Sequence, residues 1–172
     1  QATCPFCEGK EYLTPPEAGA VRSRDSKPNA PGWKVRVVPN KFPVLKPEGV
    51  FEKTGLGIYD MTTGIGAHEV VIETPGHNQQ LADLSAEDLR GVIGAYVDRV
   101  KELSKDKRFK YICIFKNFGE SAGASLEHGH SQVIALPTVP KFVSEELEGS
   151  QYYFRYRGRC IFCDIIHQEH QD

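Results

Sequence analysis

The sequence lacks any apolar run approaching the roughly 18–20 residues that span a bilayer. Its opening, "QATCPFCEGKEY", has neither a basic start nor an apolar centre, so no secretory signal is expected there. A cytoplasmic protein without a membrane partner is the corresponding expectation. Neither charge is in excess: 21 Lys and Arg stand against 23 Asp and Glu, a formal net charge of −2. Non-specific nucleic-acid binding needs a strong basic surplus, so that partner is not expected. One local basic run remains, "VRSRDSK" at 21–27, which reads as a phosphate patch or as a solvated loop. No internal repeat is evident apart from one recurring Cys-x-x-Cys.

What is present fits an ordinary folded domain with an appendage. The chain has 172 residues, 40% of them apolar and 26% charged. Residues 1–32 are rich in Pro, Gly and Ser and read as an irregular opening that needs something besides a core to hold it. "WKVRVVPN" (33–40) and "HEVVIET" (68–74) alternate and are β-branched, so they read as strands. The Gly- and Thr-rich stretch between them, 46–66, reads as loop with at most a short extended piece. Ser85 with Asp88 three residues on resembles a capping box. Leu89, Val92, Ile93, Tyr96, Val97, Val100 and Leu103 then repeat at helical spacing. "YICIFKN" (111–117) and "SQVIALP" (131–137) are two further strands, and a polar, helix-compatible stretch with Tyr152, Tyr153, Phe154 and Tyr156 follows. Strand, strand, helix, strand, strand with short links predicts an α+β fold: an antiparallel sheet with a helix packed on one face.

Five cysteines is an odd number. Cys4/Cys7 and Cys160/Cys163 form two close pairs, which read as metal ligands or redox dithiols rather than structural disulfides. Cys113, in "YICIF", reads as a small core residue. The richest stretch is "NFGESAGASLEHGHSQVIALP". In an extended segment, residues two apart share a face, so His128, His130 and Gln132 point one way. Gly129 leaves the other side open to a close neighbour. The small-residue loop before them offers N–H groups and hydroxyls to a phosphate. A neutral imidazole can act as a nucleophile at pH 7, and a glutamine amide can steady a charged phosphoryl group. Catalysis, metal ligation and a plain structural role all remain open on these grounds.

The segment "KNFGESAGASLEHGHSQVIALP" resembles the active-site segment of the galactose-1-phosphate uridylyltransferase family, within the histidine-triad superfamily. "CPFCEG", "WKVRVVPNKFPVL", "HEVVIETPGHN" and "GRCIFCDII" are similar to further family landmarks, in the family's order and over essentially the whole chain. The resemblance implies a histidine-triad-like sheet over residues 1–158, with 159–172 opening a second half or tail. It implies an enzyme in which His130 attacks the α-phosphorus of a nucleotide sugar. Sugar 1-phosphate leaves, and the nucleotidyl-histidine passes its nucleotide to an acceptor. Gln132 would then hold the phosphoryl oxygens. Gly123 and Ser125 match phosphate contacts, Asn117 a polar wall residue, and Asn40 and Phe42 residues near the nucleoside. Cys4, Cys7, His77 and His128 match the ligands of a structural zinc that staples the N-terminus. A homodimer is implied as well.

Two departures narrow the expectation. Where typical uridylyltransferases carry Pro and Gly, this chain has Gly129 and Ser131. That style resembles the branch containing nucleotide-sugar phosphorylases acting on ADP-glucose. A uridylyltransferase using UDP-glucose and a sugar 1-phosphate is therefore the first expectation, an ADP-glucose phosphorylase the second, and a non-catalytic zinc-stabilised nucleotide-binding module the third. Gln132 stands where histidine-triad hydrolases usually carry histidine, which disfavours water as acceptor. Cys160 and Cys163 resemble the start of the family's second half. His167 and His170 offer a local ligand set for them, though loops so short seldom close around one ion. His68 stands at a strand start, where a place near the site and a packing or surface role are equally open.

Overall fold

The computed structural model describes residues 4–124 and 126–171. They form two compact units, divided between Pro137 and Thr138.

The first unit is built on a five-stranded antiparallel sheet. Its strands are β1 (Gly19–Arg22), β2 (Trp33–Pro39), β5 (Ala67–Ile72), β6 (Tyr111–Phe115) and β7 (His130–Leu136), in spatial order β1-β2-β5-β7-β6. The α+β fold expected from the sequence is the fold observed, with helix α1 (Ala86–Leu103) packed on one face. Ser85 caps α1 by accepting the Asp88 N–H at 3.1 Å. Strand parity decides what meets the helix. Val35 and Val37 of β2, Val71 of β5, and Val133 and Ala135 of β7 close a core with Val92, Ala95 and Leu103. The buried edge of α1 centres on Val92 and Ala95, and Ile93 and Val97 of the expected apolar stripe are exposed. No helix among the described residues is long and apolar enough to cross a membrane.

Two segments read as loop contain strands. β1 adds to the edge of β2, with Gly19 opposite Val37. β3 (Lys53–Leu56) and β4 (Tyr59–Thr62) make a separate hairpin of exposed residues. All three are four-residue strands: β3 and β4 are exposed throughout, and β1 sets only Val21 against the core, so no hydrophobic alternation announces them. Cys113 lies half-buried on β6 and outside the helix-facing core; its neighbours Ile112 and Ile114 pack on that core instead.

The second sheet face is covered by the N-terminal segment. Cys4, Phe6 and Trp33 pack on Val38, Val70 and Ile72. Arg36, fully buried, reaches Glu17 at 3.1 Å, Thr14 Oγ1 at 2.7 Å and Asn29 Oδ1 at 3.2 Å. Arg22 of the basic run pairs with the same Glu17 and donates to the Lys27 and Ala30 carbonyls, so it braces this segment.

The second unit holds α2 (Lys141–Arg157) and α3 (Ile161–Glu169). The polar, Tyr-rich stretch is α2. Asp164 accepts from Tyr153 and Arg159 at 2.8 and 2.5 Å, tying the two helices together. Cys160 is the N-cap of α3, and the Cys163 and Phe162 N–H groups lower its thiol pKa, whereas Cys163 is raised by its hydrogen bond with Cys160. Cys160, Cys163, His167 and His170 are not gathered into a ligand group among the described residues.

Candidate active site and metal centre

The even-numbered residues of β7 and β5 point away from α1. Register sets Ile72 opposite His130, Val70 opposite Gln132 and His68 opposite Ile134. Above them lies a cavity of about 600 Å³. His130 and Gln132 line it from β7, Asn40 and Phe42 from the turn after β2, and Gly123 from the small-residue loop. Five of the sequence-predicted site residues thus share one cavity. Asn117 is half-buried after β6 and is not on the cavity wall, and Ser125 falls outside the described residues. The basic run at 21–27 is not on the wall either.

Phe6, Leu13, Val38, Val70 and Leu126 make the cavity wall largely apolar, a feature sequence reasoning missed. Phe6 lies between the cysteines of the first pair, a position that flagged it only as a spacer. Its ring meets the His130 ring edge-on, centroids 5.3 Å apart. The loop before β7 turns through Gly123, whose φ of +78° suits glycine. The N–H groups of Ala122, Gly123 and Ala124 donate within that loop, to Gly119 and Glu120 carbonyls.

His130 has a defined tautomer. Its Nδ1 lies 2.7 Å from the carbonyl oxygen of His128, an acceptor only, so Nδ1 carries the hydrogen and donates it. Nε2 is left with its lone pair. Gly129, between the two histidines, is pressed against other groups: a Cβ there would stand 2.8 Å from the Gln79 carbonyl and 3.3 Å from Glu73 Oε2. The expected close neighbour is therefore the 73–80 segment.

Behind β7, on the helix side, Glu73 is buried and takes hydrogen bonds from Ser131 Oγ, from Tyr96 OH at 3.3 Å and from Lys116 Nζ at 2.5 Å. Burial pushes the Tyr96 hydroxyl up to about 12, so it stays a neutral donor. Glu73 shares strand parity with the core residue Val71, and a carboxylate at such a position was the available signal for a buried partner. Glu73→Ala should cost about 2–4 kcal/mol in urea unfolding, because it orphans buried donors. A loss under ~0.5 kcal/mol would contradict this role.

Cys4, Cys7, His77 and His128 come together with their ligand atoms within 4.8 Å of one another. The Cys7 Sγ–His77 Nδ1 distance is 3.4 Å, and His128 Nδ1 is 3.7 Å from both sulfurs. Tetrahedral zinc with ordinary bond lengths separates a sulfur and a nitrogen ligand by about 3.5 Å, so the group fits that ion. The fully buried His128 donates Nε2–H to the Thr74 carbonyl at 2.7 Å, which turns the Nδ1 lone pair toward the sulfurs. Burial lowers the His128 pKa and keeps the ring neutral, as a ligand must be. Glu127 lies 3.9 Å from His77 Nε2 with its side chain almost wholly in solvent, a weak contact.

Residues 2–140 match the family model described as galactose-1-phosphate uridyl transferase, N-terminal domain. The chain belongs to that family. Among curated members, it is 39% identical over 165 residues to an ADP-glucose phosphorylase from Arabidopsis thaliana, covering 95% of this chain and 46% of that protein. It is 31% identical over 137 residues to a galactose-1-phosphate uridylyltransferase from Thermotoga maritima, covering 77% of this chain and 42% of that protein. The crystal structure of the Arabidopsis ADP-glucose phosphorylase with bound ADP-glucose superposes with a TM-score of 0.76 at 37% identity, covering 94% of this chain and 49% of that one. The chain thus spans about half the length of the family members it matches.

Proposed function

We propose that this chain carries the nucleotidyl-transfer half-site of a nucleotide-sugar enzyme, with His130 as nucleophile. The observation that carries the reading is the fixed tautomer of His130 on a cavity wall: Nδ1–H is held by the His128 carbonyl, and the other nitrogen is free to attack. His130 Nε2 bonds to the α-phosphorus of the nucleotide sugar. The bond from that phosphorus to the bridging oxygen breaks, and sugar 1-phosphate leaves with the electron pair. An acceptor oxygen then reverses the displacement, freeing the imidazole. Gln132, beside His130 on the wall, steadies the phosphoryl oxygens, while Asn40 and Phe42 flank the nucleoside. Asn117, Gly123 and Ser125 belong to the phosphate end of the same reading.

Identity to the Arabidopsis protein favours ADP-glucose as donor and inorganic phosphate as acceptor. The family model and the Thermotoga relative support the second reading, UDP-glucose with a sugar 1-phosphate. The cysteine–histidine group holds a structural zinc in either case. Zinc supplies no chemistry to the reacting phosphorus; it ties Phe6 and the His128 backbone in place. The reading extends to residues 1–158 as the nucleotidyl-transfer domain, with 159–172 as the start of a second half, and to a homodimer.

The test is incubation with ADP-glucose or UDP-glucose, followed by intact-mass measurement. An adenylyl increment that inorganic phosphate discharges as ADP is the expected result. A uridylyl increment moves the assignment to the second reading, and no increment from either donor overturns the mechanism.

A further inference from the structure

We infer that His68 is a positioning residue: it fixes the side-chain amide of Gln132 with its NH₂ end toward the cavity. The inference rests on the role proposed above for Gln132. His68 is buried at the start of β5, two residues from Val70, the partner of Gln132 across the sheet. Three groups converge on its ring. The Val44 N–H reaches Nδ1 at 3.3 Å, Gln132 Oε1 lies 2.7 Å from Nε2, and Asn40 Nδ2 lies 3.0 Å from the same nitrogen.

A backbone N–H cannot be turned round, so the Val44 contact decides the proton inventory. His68 Nδ1 accepts there, and the ring hydrogen is on Nε2. The Asn40 amide is oriented as well, since its Oδ1 accepts the Phe42 N–H at 2.9 Å. With the ring hydrogen on Nε2, the Asn40 amide nitrogen, itself a donor, makes no hydrogen bond to it and cannot be its acceptor. Gln132 Oε1 is the remaining group, and its contact is the shortest of the three. The carbonyl end of Gln132 is thereby occupied, and the two amide hydrogens are left for whatever binds beside His130.

The consequence is chemical. A free glutamine amide presents its oxygen or its nitrogen about equally. Only the nitrogen end attracts a phosphoryl group whose negative charge grows in the transition state, and the oxygen end repels it. A fixed amide removes the wrong orientation before substrate arrives. The Val44 and Phe42 N–H groups lie on the turn after β2, whose Asn40 and Phe42 line the cavity, so the relay runs from that turn through His68 to Gln132.

His68→Leu, of similar size without a donor, should slow single-turnover labelling about 10- to 100-fold at saturating nucleotide sugar. Half-saturation should change less than about threefold, since the loss falls on the transition state. His68→Gln, which can return an N–H near the position of Nε2, should recover most of the rate. In a Gln132→Ala background, His68→Leu should add little, because the group it positions is gone. Equal labelling by wild type and His68→Leu, or fully multiplicative losses in the double variant, would overturn the inference while leaving the mechanism standing. An unlabelled wild type would instead overturn the mechanism. Long-range ¹H–¹⁵N spectra of the histidine rings test the proton position independently of activity: a hydrogen on Nδ1 of His68 would refute the assignment.

Discussion

His130→Gly protein keeps its unmodified mass after incubation with ADP-glucose, while the parent chain gains one nucleotidyl group. The expected loss in labelling rate is on the order of 10⁴-fold or more, since the bond to phosphorus has no other atom to form on. Its neighbours do not substitute for it. The Nδ1 of His128 faces the cysteines and its Nε2–H donates to Thr74. His68 has both ring nitrogens engaged. Folding should survive, because His130 is half-buried and its ring meets Phe6 edge-on without filling the core. The parent and variant melting curves should therefore agree within a few degrees. A His130→Gly chain that still acquires a nucleotide would remove this residue from the mechanism.

The second large effect is on stability. The purified chain should carry about one zinc, and His128→Ala or Cys4→Ser should bring that ratio near zero. A ligand that binds only the folded state at a thousandfold excess over its Kd contributes about 4 kcal/mol. For a chain of this size that corresponds to a fall of about 8–16 °C in Tm on chelation. The physical reason lies in what the group joins. Cys4 and Cys7 belong to the N-terminal segment, His77 to the turn after β5, and His128 to the residues entering β7. Without the ion, the segment keeps the Arg36–Glu17 pair and the Trp33 N–H to Glu11 bond at 2.8 Å, so the sheet itself should persist. Labelling should fall with the metal, since His128 also supplies the carbonyl that fixes His130. Full zinc content in the His128→Ala protein would contradict the ligand assignment.

The strands β2, β5, β6 and β7 and the helix α1 were legible because each buries a face, and burial imposes a period on the sequence. The four-residue strands β1, β3 and β4 were not, since backbone pairing leaves no such trace. Cys4, Cys7, His77 and His128 were matched by family resemblance, and the folded chain does gather their ligand atoms. The role of His68 was beyond reach in sequence. It depends on the β5–β7 register across 64 positions and on a main-chain N–H that any residue at 44 other than proline could supply. The Glu73 network was equally hidden, because its partners Tyr96, Lys116 and Ser131 come from α1, from the residue after β6 and from β7.

The seven residues of β7 serve two tenants. Ser131, Val133 and Ala135 answer to the interior, while His130 and Gln132 answer to the cavity. Substitutions at the even positions change the cavity wall without repacking the core, and a stabilising change can alter the odd ones without changing that wall. A single inserted or deleted residue grants neither freedom: it exchanges the tenants, sending an imidazole into the hydrocarbon and a valine to the cavity.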